Sequence, residues 1–518
     1  MYQKLYFGSP IENHWNIIDI LDENHRPTNL IAVRSEIKNR QSSACLEKLI
    51  HLRRKKIIGL SSYQEFPQKI SNPHDQPIYN NQRFIEKYSN QIYLWCHCFR
   101  DPENYLPNNM PRILYSESDQ YRHCLHLNSQ VGKIPKKYDF FVSMPQGEWN
   151  TYIRGFSIAQ QWLNHMADVM GLKILVCGTN RRKDFSENID VIDFQKWCDF
   201  IDCMNQCQYL FCSSIYDASP RIIVEAMSLN IPVLLNKNIL GGWKYIQEDT
   251  GMFFEATDPI EETIQKFMQR EFNPLEFTKR NFNIIENSEL LANQVNKVLN
   301  YRIENFIDGI IYINLDHRTD RDNEIKRELK KMDIPNSLVH RVSAIFDDDC
   351  GHLGCAKSHV KALELAKEKG WKKFLILEDD FSFKVTKPQF LYTLDSFYEK
   401  NYDWGVFMLA ACHLKIKEVE KSFFPKIFKA TTTSGYIVQS DFCDTLLLNY
   451  KDAVKLLEKD VEEFLEQHPG EKKMTTPFAI DIHWHQLQKQ GYFYISDPMI
   501  GGQSKSYSSI MKKKINLE

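Results

Sequence analysis

Apolar and polar positions fall into two alternating rhythms from Tyr138 onward, and both point to one fold class. DFFVSMP is a short, continuously apolar run that predicts a buried strand. Residues 156–170 repeat their apolar positions at helical spacing. LKILVCG reads as a strand stopped by glycine, FQKWCDFIDCMNQC as a helix, QYLFCSS as a strand, SPRIIVEAMSLN as a helix and IPVLLN as a strand. Strands alternating with helices imply a parallel sheet covered on both faces. A helical stretch over 274–300 closes this series, and 301–308 reads as a linker.

A second series follows, with GIIYINL, KKFLILEDD, WGVFMLAA and TSGYIV as strands. RDNEIKRELKKM, SHVKALELAKEKG and residues 440–457 and 461–467 carry helical spacing. Before residue 130 the pattern is irregular, with strands expected at 29–33, 56–60 and 91–96 and a Pro- and Asn-rich loop over 102–111. The expected architecture is therefore α/β throughout. Its parts are an N-terminal half at 1–135, a second Rossmann-like half at 136–300, the linker and an independent α/β domain at 309–518.

Composition narrows the function classes. The 518 residues are too many for one core, and 65 Lys+Arg against 67 Asp+Glu give a net charge of −2. That balance supplies no general affinity for nucleic acid or anionic membrane. No apolar run approaches the roughly 20 residues of a membrane span, and the N-terminus lacks a secretory pattern. A cytoplasmic protein is the expectation. The 13 cysteines have no metal-site spacing and read as reduced, mostly buried thiols.

The most informative segment is LILEDDF. A buried strand delivers Glu378, Asp379 and Asp380 together at its C-terminal end, the edge where open parallel sheets bind ligands. Adjacent acids repel, so the cluster is costly unless a cation or donor groups neutralise it. Mg²⁺ or Mn²⁺ prefers such oxygens and can bridge to phosphates, with Glu378, Asp380 and His483 as expected ligands. INLDHRTDR places Arg318 and Arg321 just after the first strand of this domain, where they can grip a diphosphate bidentately, with Asn314 beside them as a further donor-binding residue. GHLGCAKSHVKAL reads as a glycine turn opening a helix, with Lys357, Ser358 and His359 near its start and suited to an anion. If AIDIHWH is extended, Asp481, His483 and His485 point to one side. Asp481 is then the expected base for an attacking hydroxyl, with Asp379 as rival.

INLDHRTDR, GCAKSHVKAL, LILEDDF, TTSGYIV, DIHW and QSKSYSSI occur in an order that resembles glycosyltransferase family 25. That family contains procollagen and lipooligosaccharide galactosyltransferases. The resemblance spans about 309–510 and implies a GT-A-like fold, a UDP-sugar donor, Mn²⁺ and inversion at the anomeric carbon. It places the metal and donor site on Glu378, Asp379 and Asp380. Ser508-Ser509-Ile510 stands where many members have Ser-Asp-Ile.

SSIYDASPRIIVEAMSLNIPVLLNKNILGGWKYI resembles the donor-binding half of family 4 GT-B enzymes. Asp217 and Glu225 stand eight positions apart, where that family usually has two glutamates. Arg154 and the helix start near Pro220 are candidate diphosphate partners, Glu225 a ribose partner, Arg221 a further donor-binding residue, and Gly242 a point of close backbone approach. Family 25 implies inverting chemistry and family 4 retaining chemistry. The pair suits glucosyl-α1,2-galactosyl-hydroxylysine in a collagen-like acceptor, and resembles collagen-glycosylating enzymes of large DNA viruses; in such a case the compartment is the host cytoplasm. Assembly of a surface glycan or lipooligosaccharide is the alternative, and a noncatalytic sugar-binding scaffold a third. A homodimer is a further expectation.

Overall fold

A computed structural model describes the chain except residues 12–13, 36, 38–39, 68–81, 89–90, 417–421, 505–506, 509–512 and 515–518. Contacts divide it into two compact units, 1–107 with 111–299, and 108–110 with 300–518.

The first unit holds two six-stranded sheets. In one, β1 (Tyr6–Ile11), β2 (His14–Leu21) and β3 (Pro27–Val33) form an antiparallel meander. It continues in parallel through β4 (Lys56–Leu60), β5 (Ile92–His97) and β6 (Arg112–Leu114). The expected strands at 29–33, 56–60 and 91–96 are β3, β4 and β5. The other sheet is wholly parallel, in the order β12-β11-β10-β7-β8-β9. Its strands are β7 (Tyr138–Ser143), β8 (Ile174–Cys177), β9 (Ile189–Ile192), β10 (Cys207–Cys212), β11 (Val233–Asn236) and β12 (Gly251–Phe254). Apolar residues from both of its faces are buried, for example Phe141 on one and Phe140 on the other, which is why its strands read as unbroken apolar runs. The helix Ile284–Leu299 returns to the first sheet's side, where Asn287 O accepts from Tyr115 Oη at 2.7 Å and Ser288 O from Leu5 N at 3.0 Å.

The second unit is built on one mixed sheet in the order β14-β13-β15-β20-β17-β21. Its strands are β13 (Gly309–Asn314), β14 (Val339–Ser343), β15 (Lys373–Glu378), β17 (Val406–Met408), β20 (Gly435–Gln439) and β21 (Phe493–Ile495). Outside it, β16 (Phe381–Phe383) pairs with β22 (Gly501–Gln503), and β18 (Cys412–Ile416) with β19 (Ile427–Thr431). Side chains alternate across the sheet. Ile311, Ile313, Phe374 and Ile376 join one core with the helices Gly351–Glu368 and Ser440–Gln467. Ile310, Tyr312, Leu375 and Leu377 join the other, with the helices Thr319–Lys331 and Lys387–Glu399.

Three expectations need correction. Residues 301–308 are not a tether, because Ile303, Phe306 and Ile307 are buried in the second core. The two helices expected over 440–467 are one, Ser440–Gln467, since neither Pro nor Gly interrupts 458–460. AIDIHWH is not extended; it forms two helical turns, Ile480–His483 and His485–Gln488.

Candidate functional site

The register of the second sheet explains why its acids meet. β13 runs parallel to both β14 and β15, with Asn314 opposite Ser343 and Ile313 opposite Glu378. The loops after these strands therefore share one sheet edge. Glu378 lies two residues past Ile376 and so falls on the face covered by the helix Gly351–Glu368. There the fully buried His359 meets it, Nε2 to Oε1 at 3.3 Å, and Thr433 Oγ1 donates to the same oxygen at 2.6 Å. His359 Nδ1 is 2.8 Å from Tyr436 Oη.

Asp379 has both oxygens engaged. Asn314 Nδ2 donates to one at 2.9 Å and Arg321 Nη1 to the other at 2.8 Å. Arg321 also stands 3.6 Å from Asp380, whose own Oδ1 is buried with no hydrogen-bond partner among the described residues. Behind the triad, Gly435 begins β20 because a Cβ there would come within 2.4 Å of the Phe381 ring. Phe381 pairs with Gln503, whose side chain is the smallest of the influences on the Asp380 carboxyl and acts to lower it.

The carboxyls diverge in their protonation. Burial pushes the Asp380 carboxyl up to about 7, and the charges of Glu378 and Asp379 add to this against the opposing pull of Arg321. Burial also raises Asp379, although Arg321 and Asn314 counter it. Burial pushes Glu378 in the same direction, but His359, Thr433 and Arg321 outweigh it and leave that carboxyl lowered. The corner thus carries concentrated negative charge with one guanidinium, Arg321, set into it.

Several expected site residues stand elsewhere or are already engaged. Lys357 pairs with Glu458 of the helix Ser440–Gln467 at 2.9 Å. The glycine turn expected before it is absent, since the helix already starts at Gly351. Arg318 is chelated by Asp320 at 2.9 and 2.8 Å. His483 does not share a side with Asp481, because two positions in a helical turn differ by about 200°. Its Nε2 lies 3.1 Å from Gln486 Nε2, and the charge it feels is that of Asp452. His485 is held by Ala430 O at 3.1 Å. Asp481, half-buried, accepts from Thr432 N at 3.1 Å and lies within electrostatic reach of Cys355, as do the three acids. Ser509-Ile510 lies outside the described residues.

Sequence reasoning passed over Cys355, Thr433, Tyr436 and Gln503. The available signal was the four-residue step from Cys355 to His359, which sets both on one helix face. Among the described residues, Cys355, His359 and Glu378 form a group of three that could hold a metal ion, their ligand atoms all within 4.8 Å of one another.

The first unit has its own cavity of about 1160 Å³, lined by Arg154, Asp217, Arg221 and Glu225 together with Arg122, Trp197 and residues of the first sheet's loops. The four candidate residues therefore do converge. Arg154 and Asp217 are ion-paired to each other. Glu225, 7% exposed, accepts at Oε1 from Tyr121 Oη at 2.8 Å and Trp197 Nε1 at 3.1 Å. Gly242 does not line the cavity; with φ at 78° it packs where a Cβ would meet the Pro220 ring at 2.5 Å. The thirteen cysteines are not disulfide-paired, eight of them are buried, and Cys198 is exposed. No helix among the described residues is long and apolar enough to cross a membrane.

No family profile matches the chain, and no curated protein matches it. Among solved structures, TarM matches 48% of this chain and 51% of its own at 14% identity and a TM-score of 0.35. Anabaena Alr3699/HepE, in complex with UDP, matches 50% of this chain and 77% of its own at 13% identity and 0.36. UDP-GlcNAc 2-epimerase from Neisseria meningitidis, bound to UDP-GlcNAc, matches 53% and 78% at 14% identity and 0.34. This chain thus spans about half the length of TarM, and likenesses at these scores assign no activity.

Proposed function

We propose that this chain is a glycosyltransferase that moves a hexose from a UDP-sugar to a hydroxylysine hydroxyl of a collagen-like protein, with the acid corner of the second unit as its reaction site. The observation that carries this is the buried Asp380 oxygen that has no donor among the described residues, set beside Glu378 and Asp379 at the edge of the sheet where open parallel sheets bind ligands. Such an oxygen fits a divalent cation, and Glu378 and Asp380 are the residues that would hold Mn²⁺ or Mg²⁺. The ion supplies neutralisation of the charge that develops on a nucleotide diphosphate as it leaves.

The remaining chemistry belongs to the chain. Asp379 fixes Asn314 and Arg321 at the edge, so Arg321 holds positive charge beside the leaving group without a change of conformer. Asp481 takes the proton of the acceptor hydroxyl. A bond from that oxygen to the anomeric carbon forms while the carbon–phosphate-oxygen bond breaks, and its electron pair departs with UDP. Attack opposite the leaving group inverts the anomeric centre.

The cavity of the first unit supports a second transfer, retaining and glucosyl, because Arg154, Asp217, Arg221 and Glu225 all line it. UDP release from UDP-galactose and UDP-glucose tests the proposal, with a hydroxylysine peptide, a galactosyl-hydroxylysine peptide and a lipid-linked sugar as acceptors. Transfer to a peptide is expected. Transfer only to the lipid-linked sugar would reject the collagen acceptor and favour a surface glycan. Absence of UDP binding and release would leave a noncatalytic scaffold.

A further inference from the structure

The motif GCAKSH contributes side chains that the transfer chemistry above does not use. Lys357 turns to Glu458, and Ser358 Oγ bonds Ile345 N at 2.8 Å. Cys355 and His359, one turn apart, instead face Glu378 across the start of the helix Gly351–Glu368.

We propose that Cys355, His359 and Glu378 form a thiolate-bearing site for a borderline-soft transition-metal ion such as Zn²⁺ or Co²⁺. It shares Glu378 with the corner proposed for Mn²⁺ or Mg²⁺.

Four observations carry the assignment. The sulfur, the imidazole nitrogen and a carboxylate oxygen lie within 4.8 Å of one another, the S/N/O combination that zinc-like ions take. His359 Nε2 and Glu378 Oε1 stand 3.3 Å apart. Two ligands about 2.1 Å from one ion at a tetrahedral angle are separated by about 3.4 Å, so these two atoms need almost no movement to share an ion. The other ring nitrogen is already provided for: with Nε2 on a metal, Nδ1–H donates to Tyr436 Oη at 2.8 Å. That outer hydrogen bond fixes the tautomer and ring plane of a metal-binding histidine. Tyr450 Oη in turn donates to Tyr436 Oη at 3.5 Å. The fourth observation is electrostatic. Besides its burial, Cys355 feels the charges of Glu378, Asp481, Asp380 and Asp379, in that order. Burial first and then these charges raise the thiol above its ordinary value, so a cation bound there relieves the negative charge near the sulfur. On binding, the thiol proton leaves to solvent as the sulfur–metal bond forms, and no oxidant or reductant is needed.

The consequence deepens the transfer proposal and, for its catalytic meaning, rests on it. Because Glu378 belongs to both ligand sets, a thiophilic ion draws it towards Cys355 and competes with a hard ion for the same carboxylate. Metal binding itself does not depend on the transfer reaction.

Titration of the full chain with Co²⁺, followed by absorption, tests the site without any turnover. One equivalent is expected to bind with thiolate-to-cobalt charge transfer and the visible bands of a tetrahedral ion. Cys355→Ser is expected to abolish the charge-transfer band and weaken Co²⁺ at least ~10-fold. His359→Asn is expected to weaken it similarly while the thiolate band persists at saturation. Binding by the wild-type chain without a thiolate band overturns the proposal, whatever the variants do. A band that survives Cys355→Ser overturns it too, since the thiolate would then be another cysteine. If no UDP is released with any cation while the Cys355-dependent band is present, transfer fails and the metal site stands.

Discussion

Each unit gathers acids and arginines at a candidate ligand site, yet the two groups are balanced differently. In the first unit Asp217 is ion-paired with Arg154, and Glu225 accepts two hydrogen bonds from Tyr121 and Trp197. In the second unit Asp379 and Asp380 share Arg321, Glu378 is met by His359 and Thr433, and a buried oxygen of Asp380 finds no donor among the described residues. A satisfied acid is a finished piece of structure. An acid pushed up to about 7 by burial and like charge is one whose environment asks for a cation. The difference separates two acids already met by protein donors from a corner in which one oxygen of Asp380 is not.

The largest expected effect comes from breaking the second corner. Asp380→Ala is expected to lower Mn²⁺-dependent UDP release at least ~100-fold, as loss of a preorganised charge at a reaction site does. The melting temperature should stay near the wild-type value or rise, because a raised acid is removed. A large fall in melting temperature with unchanged turnover would reverse the comparison.

Next comes packing behind the triad. Gly435→Ala forces a Cβ into the Phe381 ring at 2.4 Å and is expected to cost about 1–3 kcal/mol by denaturant unfolding.

The pH dependence sharpens the electrostatic half. Asp380 is raised from 3.8 to about 7, so the folded chain holds a proton there that the unfolded chain has lost. Its contribution to stability is therefore present at the acid end and disappears as pH rises through about 7. In chelator-treated protein this slope is expected to flatten in Asp380→Asn, read from melting curves across the window. Mn²⁺ affinity should climb over the same interval, because the ion competes with that proton.

The smallest effect is expected at Lys357. Its partner Glu458 is half-exposed, so Lys357→Ala should change stability by no more than about 1 kcal/mol and leave UDP release intact. A loss of UDP affinity in that variant would restore lysine to the anion site.

Much of this contrast was visible in the sequence, and the failures have physical causes. KKFLILEDD and GIIYINL were readable because both faces of β15 and β13 are buried, so apolar residues run unbroken up to the polar strand ends. The alternation after Tyr138 gave away the parallel sheet for the same reason. β1 was missed because Gly8 and Pro10 break its pattern, and β6 has only three residues. AIDIHWH alternates as a strand would, yet tertiary bonds decide its shape: Trp484, His485 and Gln488 all converge on Ala430 O, at 3.1, 3.1 and 3.0 Å. At GCAKSH the conspicuous residue is the charged Lys357. The side chains that meet Glu378 are the less conspicuous Cys355 and His359, whose partner lies on β15.

The central claim, that transfer runs at the acid corner of the second unit, is tested most directly by UDP release from paired variants. The measurement uses UDP-galactose or UDP-glucose, Mn²⁺ and a hydroxylysine peptide, with Asp380→Ala beside Glu225→Ala. Loss of release in Asp380→Ala with release retained in Glu225→Ala is the predicted result. Full release in Asp380→Ala, with release lost in Glu225→Ala, would contradict the claim and place the chemistry in the first unit.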